Sequence, residues 1–198
     1  MADQRSLSRL TTASTIALGL IAGLLSGWWA ITGGMGGKSY SGWYGSRVTG
    51  STDAGPWLRA RVAISGLLAL NRSQAVYFTR KTDDSGEPLR EACRYRVTGG
   101  ALPGKWWSVT VYAADNYLPL NDDNALSFDA TEVASDALGQ WSAILSPTRP
   151  QGEAWASTNK AGNFDITLRI YQPEKRAQDD FASIPMPKVT KLACGGQA

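Results

Sequence analysis

Four carboxylates crowd one stretch of the chain, Asp115, Asp122, Asp123 and Asp129, with Tyr112 and Tyr117 beside them. Two carboxylates held at a fixed separation can perform acid–base chemistry on a glycoside. Several loop oxygens together can hold calcium. Asp and Asn also favour loops for their own turn chemistry. No motif spacing supports a catalytic pair or a calcium loop, so the turn reading is preferred and no catalytic or metal-binding residue is assigned. Trp106, Tyr112, Asp115, Tyr117 and Arg94 suggest something else, an aromatic groove for a glycan or a partner. Packing of these rings against a neighbouring element is the competing role.

The sequence contains no histidine and two cysteines. That removes Ser-His-Asp and Cys-His nucleophilic catalysis and every His-ligated metal. Two thiolates are too few for a zinc or iron–sulfur centre of the usual kind. Carboxylate, Lys and Tyr chemistry remain, and no cofactor is expected. The net charge of +3 is small, and no run of Lys or Arg exceeds two residues. Nucleic acid is therefore not an expected partner.

The elements that must position these residues are strands. Lys105–Tyr117 alternates, with Trp107, Val109 and Val111 on one face and Trp106, Ser108, Thr110 and Tyr112 on the other, as a central strand does. Pro103-Gly104 and Asp115-Asn116 bound it as turns. Ala75–Thr79, Ala92–Val97, Trp141–Ser146 and Phe164–Tyr171 read as further strands. In the last of these Phe164, Ile166, Leu168 and Ile170 face inward, and Asp165, Thr167 and Arg169 outward. Pro147–Ala161 reads as a long loop, Glu174–Phe181 as a short helix and Pro185–Leu192 as an edge strand. Many short strands separated by turns predict an antiparallel, jelly-roll-like β-sandwich with one or two short helices.

The N-terminal quarter differs. Leu10–Thr32 holds no charged residue, and about 20 such residues cross a bilayer as a helix. Trp28 and Trp29 stand at its far end, where amphipathic rings prefer the headgroup layer. A cleaved secretory signal is the rival, but Trp28 occupies a position where cleavage needs a small residue, so an uncleaved anchor is expected. Gly19, Gly23 and Gly27 recur every fourth residue, a spacing that lets two membrane helices approach closely. Residues 1–9 form a polar tail, and Arg5 and Arg9 favour keeping it in the cytoplasm. Residues 33–52 read as a Gly/Ser/aromatic linker, with Trp43 and Tyr44 at the lipid interface or packed on their own domain. Residues 53–198 form the sandwich. At its start Trp57, Ala60, Ile64 and Leu67 share a helical stripe, which predicts an amphipathic helix covering a sheet or one end of the sandwich.

The runs YFTRKTDDSGEPL, CRYRV, LPGKWWSVTVYAADNYL and NFDITLRIYQP follow one another in an order and spacing that resemble the domain-of-unknown-function family 1214. The resemblance spans roughly Trp57 to Lys188 and implies a jelly-roll sandwich. Members often carry a second sandwich domain ahead of this one; here the apolar stretch precedes it. The chain departs from the family after Tyr117, where relatives tend to have an asparagine-arginine-tyrosine-serine stretch and this sequence has Asp123-Asn124-Ala125-Leu126-Ser127. The family has no settled activity, so the resemblance implies a fold and no reaction.

Cys93 and Cys194 are an even pair in a domain expected outside the cytosol, where bridging is commoner than free thiols. The functional expectation is an accessory subunit without catalysis. It would be anchored once in a bacterial inner membrane, with its sandwich in the periplasm and its glycine face docked on a transmembrane partner of a larger complex. An envelope domain that binds or modifies carbohydrate is the alternative.

Overall fold

The computed structural model describes residues 2–32, 37–64 and 69–195. The chain opens with a helix, α1 (Ala2–Thr32), whose apolar surface is mostly bare: Leu18, Leu24 and Leu25 are all more than 60% exposed. Its segment Thr11–Ala30 is long and apolar enough to cross a membrane. Then comes a small hairpin, β1 (Lys38–Tyr40) and β2 (Trp43–Gly45), and a helix α2 (Pro56–Ile64). Eight more strands follow. They are β3 (Ala75–Arg80), β4 (Cys93–Gly99), β5 (Gly104–Ala113), β6 (Ser127–Asp129), β7 (Trp141–Ser146), β8 (Ala154–Ser157), β9 (Phe164–Pro173) and β10 (Lys188–Cys194). A short helix α3 (Lys175–Asp179) and a 3₁₀ turn Phe181–Ser183 lie between the last two.

The strands form two facing sheets, one in the order β1-β2-β3-β9-β5-β6 and the other β10-β4-β7-β8. The mainly-β sandwich expected from the pattern is therefore what the chain builds. Side-chain alternation explains it. In the larger sheet Leu168 lies between Phe78 and Val109, and Ile170 between Val76 and Trp107. Tyr95, Val97, Ala143 and Leu145 come from the smaller sheet, and all of these are buried. Trp107 and Trp141 stack across the gap with ring centroids 4.4 Å apart. The Trp141 indole Nε1 donates to the Gly100 carbonyl at 2.7 Å, which satisfies its one polar atom. Gly99 leaves room for that indole: a Cβ there would lie 2.5 Å from the ring.

Several expectations need correction. Residues 33–52 are not simply a linker. Ser41 and Gly42 both take positive φ, 51° and 83°, which suits a two-residue hairpin turn. The hairpin then extends the larger sheet through Tyr44 opposite Thr79. Trp43 is not at a lipid interface. It is fully buried, and its Nε1 donates to the Pro187 carbonyl at 2.8 Å. Gly33 to Gly36 of that segment lie outside the described residues, as does Leu67. The helix near Trp57 forms, but its expected stripe is not its covered face: Trp57 and Ile64 are 48% and 64% exposed. The long loop after Pro147 contains β8, which runs parallel to β7, so the smaller sheet is mixed rather than antiparallel throughout.

Cys93 and Cys194 form a disulfide between directly opposed positions of β4 and β10. In the chain-entropy account, tying positions 101 residues apart restricts the unfolded chain by up to about 4.7 kcal/mol.

Candidate functional site

Among the described residues two carboxylates are buried, and their surroundings separate structure from opportunity. Asp83 is 2% exposed, in the turn after β3. Its Oδ1 accepts from the Ser85 amide at 2.8 Å, the Ser85 hydroxyl at 2.6 Å and the Glu87 amide at 3.1 Å. Its Oδ2 makes no hydrogen bond but faces the Lys191 ammonium at 3.6 Å. Burial pushes this carboxyl upward, yet those donors and Lys191 hold it below the ordinary aspartate value. The adjacent Asp84 takes the Arg80 guanidinium at 2.7 Å, while Arg80 Nε donates to the Thr82 carbonyl at 2.7 Å. This corner fastens β3 to β10 and is structural.

Asp165 is the opposite case. It lies on β9 directly opposite Tyr112 of β5, on the face of the larger sheet turned away from the core. It is 8% exposed, and its carboxylate accepts no hydrogen bond from the described residues. Burial pushes it up to about 6, with Lys81 pulling partly the other way. A carboxyl so perturbed, in a cleft, marks a functional-site candidate.

The cleft has a volume of about 440 Å³, within the range that holds small ligands. Its floor is the outer face of the sheet, with Tyr77 and Thr79 from β3, Thr167 and Arg169 from β9, and Tyr112. One wall is α2, through Leu58, Arg61 and Val62, and the hairpin adds Tyr44. Arg169 is held rigidly: Nη1 donates to the Thr110 hydroxyl at 3.0 Å, Nη2 donates to the Tyr112 phenol, and the guanidinium lies 5.5 Å from the Tyr112 ring centre. Tyr77 is fixed as well, its phenol oxygen accepting from the Leu70 amide at 2.9 Å. Arg61 differs, because its Nη1 is buried with no hydrogen-bond partner among the described residues.

The residues singled out from sequence do not make one groove. Tyr112 enters the cleft. Trp106 lies six positions earlier on the same strand, about 20 Å away along it, and leans on Tyr171 with ring centroids 5.1 Å apart. Arg94 belongs to the other sheet, where it and Arg96 share Glu153. Asp115 and Tyr117 sit exposed in the turn after β5, Asp115 Oδ1 accepting the Tyr117 amide at 3.0 Å. Of the carboxylates of the opening paragraph, Asp115 and Asp129 do turn chemistry, while Asp123 bonds across to β8. Asp129 Oδ1 accepts from the Thr131 amide and hydroxyl, and Asp123 Oδ2 from the Ser157 hydroxyl. Among the described residues no three His, Cys, Asp or Glu gather as a metal site would require. Sequence reasoning missed Asp165, Arg169 and Arg61 as a group. Alternation places the first two outward, and the one available signal is the pair of opposite charges flanking Thr167 on β9.

On the membrane side, Gly19 and Gly23 have no other atom within 4 Å of a Cβ position, whereas Gly27 is met by the Trp57 ring at 3.9 Å. Part of the glycine face is therefore already covered by the chain's own α2. Trp28, Trp29 and Tyr44 are more than half exposed.

Comparison with known proteins agrees with this fold and adds no activity. No curated relative matches the chain. Among solved structures it is similar to the VPA0106 protein from Vibrio parahaemolyticus, with a TM-score of 0.58 at 22% identity, over 71% of this chain and 36% of that one. The chain thus spans about a third of the length of that protein. An uncharacterized protein from Burkholderia cenocepacia is matched at a TM-score of 0.42 and 17% identity, over 63% of this chain and 31% of that one. The sequence profile described as "Protein of unknown function (DUF1214)" matches residues 74–175, which is 102 of 198 residues and runs from β3 to the start of α3. The chain therefore belongs to the DUF1214 family.

Proposed function

We propose that this chain is a membrane-anchored accessory subunit without catalytic activity, which places a DUF1214 sandwich beside a larger membrane protein complex. The observation that carries the reading is the bare apolar surface of α1. Only 6% of its candidate span is buried within the protein, so lipid or another helix must cover it. Gly19 and Gly23 offer the close approach for a partner helix that Gly27, already in contact with Trp57, does not. The orientation we infer has the N-terminus in the cytoplasm and the sandwich in the periplasm of a bacterial inner membrane. Arg5 and Arg9 support the first half, and the Cys93–Cys194 bridge suits an oxidising compartment.

Two measurements test it. The full chain should stay in the membrane pellet through alkaline carbonate extraction. Purified in mild detergent, it should carry a stoichiometric membrane partner that is lost in the Gly19→Leu/Gly23→Leu variant. A monodisperse wild-type monomer, or a chain released as a soluble product beginning after Trp29, would sink the reading.

A further inference from the structure

The cleft over the outer face of the larger sheet carries more positive than negative charge in its lining. Its lining carries three cationic side chains, Arg61, Lys81 and Arg169, against the single carboxylate of Asp165. Arg169 is oriented by Thr110 and Tyr112. Arg61 is not: its Nη1 is shut away from water without an acceptor. A buried guanidinium N–H left unpaired is costly, and Arg61 also lines the cleft, so an acceptor bound there that drew the guanidinium in would remove that cost. Asp165 is not that acceptor, since it takes no hydrogen bond from Arg61 or any other described residue. Tyr44, Tyr77, Leu58 and Val62 give the lining aromatic and aliphatic surface, beside the polar Ser46, Thr49, Thr79, Asn116 and Thr167.

The geometry points to this cleft as a binding site for a small organic anion, a phosphate monoester or carboxylate borne on an aromatic or short aliphatic body, with Arg61 and Arg169 as its counter-charges. Arginine suits this task because its planar fork donates to two oxygens of such a group at once. The phenol rings and the Leu58–Val62 side of α2 supply the apolar contact that fixes the body of a ligand in a pocket of this size. Asp165 opposes the anion and sets how strongly it is held. The shared chemistry has two sources, a free solute or the headgroup of an anionic lipid. The cleft lies close to the end of α1, since Gly37 also lines it, five residues beyond Thr32.

The test uses the full chain in phosphatidylcholine nanodiscs, titrated with phenyl phosphate and with inorganic phosphate. Phenyl phosphate should bind saturably and at least tenfold more tightly than inorganic phosphate, because the ring fills the apolar side. Arg61→Gln should weaken it tenfold or more. Asp165→Asn should tighten it several-fold, an opposite change that general damage would not produce. Lys81→Gln, at an exposed position, should weaken it less and serves if Arg61→Gln does not fold, which near-UV circular dichroism will report. In phosphatidylglycerol nanodiscs, loss of phenyl phosphate binding by competition assigns the site to lipid headgroups, and unchanged binding assigns it to a solute. Absence of saturable phenyl phosphate binding in phosphatidylcholine, or affinities indifferent to both Asp165→Asn and the Arg61 or Lys81 variant, overturns the inference.

Discussion

Ile166, Leu168 and Ile170 on one face of β9 alternate with Asp165, Thr167 and Arg169 on the other, and the two sets live in different solvents. The first faces the smaller sheet across a dry core in which Leu168 and both flanking isoleucines are fully buried. The second lies under α2 and the hairpin, also largely hidden, but among charges and phenols. The difference teaches that burial by itself does not define a core. The inner face is closed by residues that complete one another. The outer face is closed over a hollow, and it leaves a guanidinium nitrogen of Arg61 without a hydrogen-bond partner.

That contrast can be broken most directly on the inner face. Leu168→Ala should cost roughly 2–5 kcal/mol, the usual range for a close-packed leucine, read by urea denaturation. A cost below about 1 kcal/mol would mean that the inner face is as loose as the outer. On the outer face the sign should reverse. Asp165 is raised from 3.8 to about 6 by burial, so the folded state disfavours its ionised form. Below about pH 4 both states bind the proton and no penalty exists; as pH climbs through 6 the penalty becomes complete. At about 1.4 kcal/mol per pKa unit, Asp165→Asn should stabilise the protein at pH 8 by up to roughly 3 kcal/mol, and the gain should vanish near pH 4. A difference that stays flat with pH would contradict the assignment.

Smaller effects sharpen the picture. Tyr112→Phe removes the phenol that receives Arg169 and should cost about 1 kcal/mol, with anion affinity in the cleft falling as the guanidinium loosens. Arg94→Ala removes one of two arginines sharing Glu153 on the other sheet, where both partners are substantially exposed. It should change thermal stability by less than about 1 kcal/mol. A larger loss there would mean that the outer face of the smaller sheet is also covered by something.

How much of this was legible in the sequence depended on length and on period. β5, β7 and β9 are long or strictly alternating, and the residues they turn inward, such as Trp107, Val109 and Leu168, were readable from spacing alone. The hairpin was not, because three residues per strand carry no period, and its turn at Ser41-Gly42 was one signal among many in a glycine-rich run. β8 was lost for the same reason in a Pro- and Gly-rich stretch. Alternation also assigns a face without saying which sheet a strand joins or what covers its far side. Spacing therefore groups Arg94 with Trp106, although the two lie in different sheets, and it turns Asp165 outward without showing what covers that face. The cleft itself joins Arg61 to Arg169, more than a hundred positions apart, and no local pattern reports such a meeting.

The bridge between Cys93 and Cys194 pins the last strand to the rim of the smaller sheet, across a register irregularity between Lys191 and Ala193. Without that rivet β10 could peel away and leave β4 with a bare row of amides and carbonyls, the template on which a neighbouring molecule adds its own strand. The bridge therefore keeps the β4 edge covered by its own strand. Reduction would free that edge and remove the restriction that the bridge places on the unfolded chain.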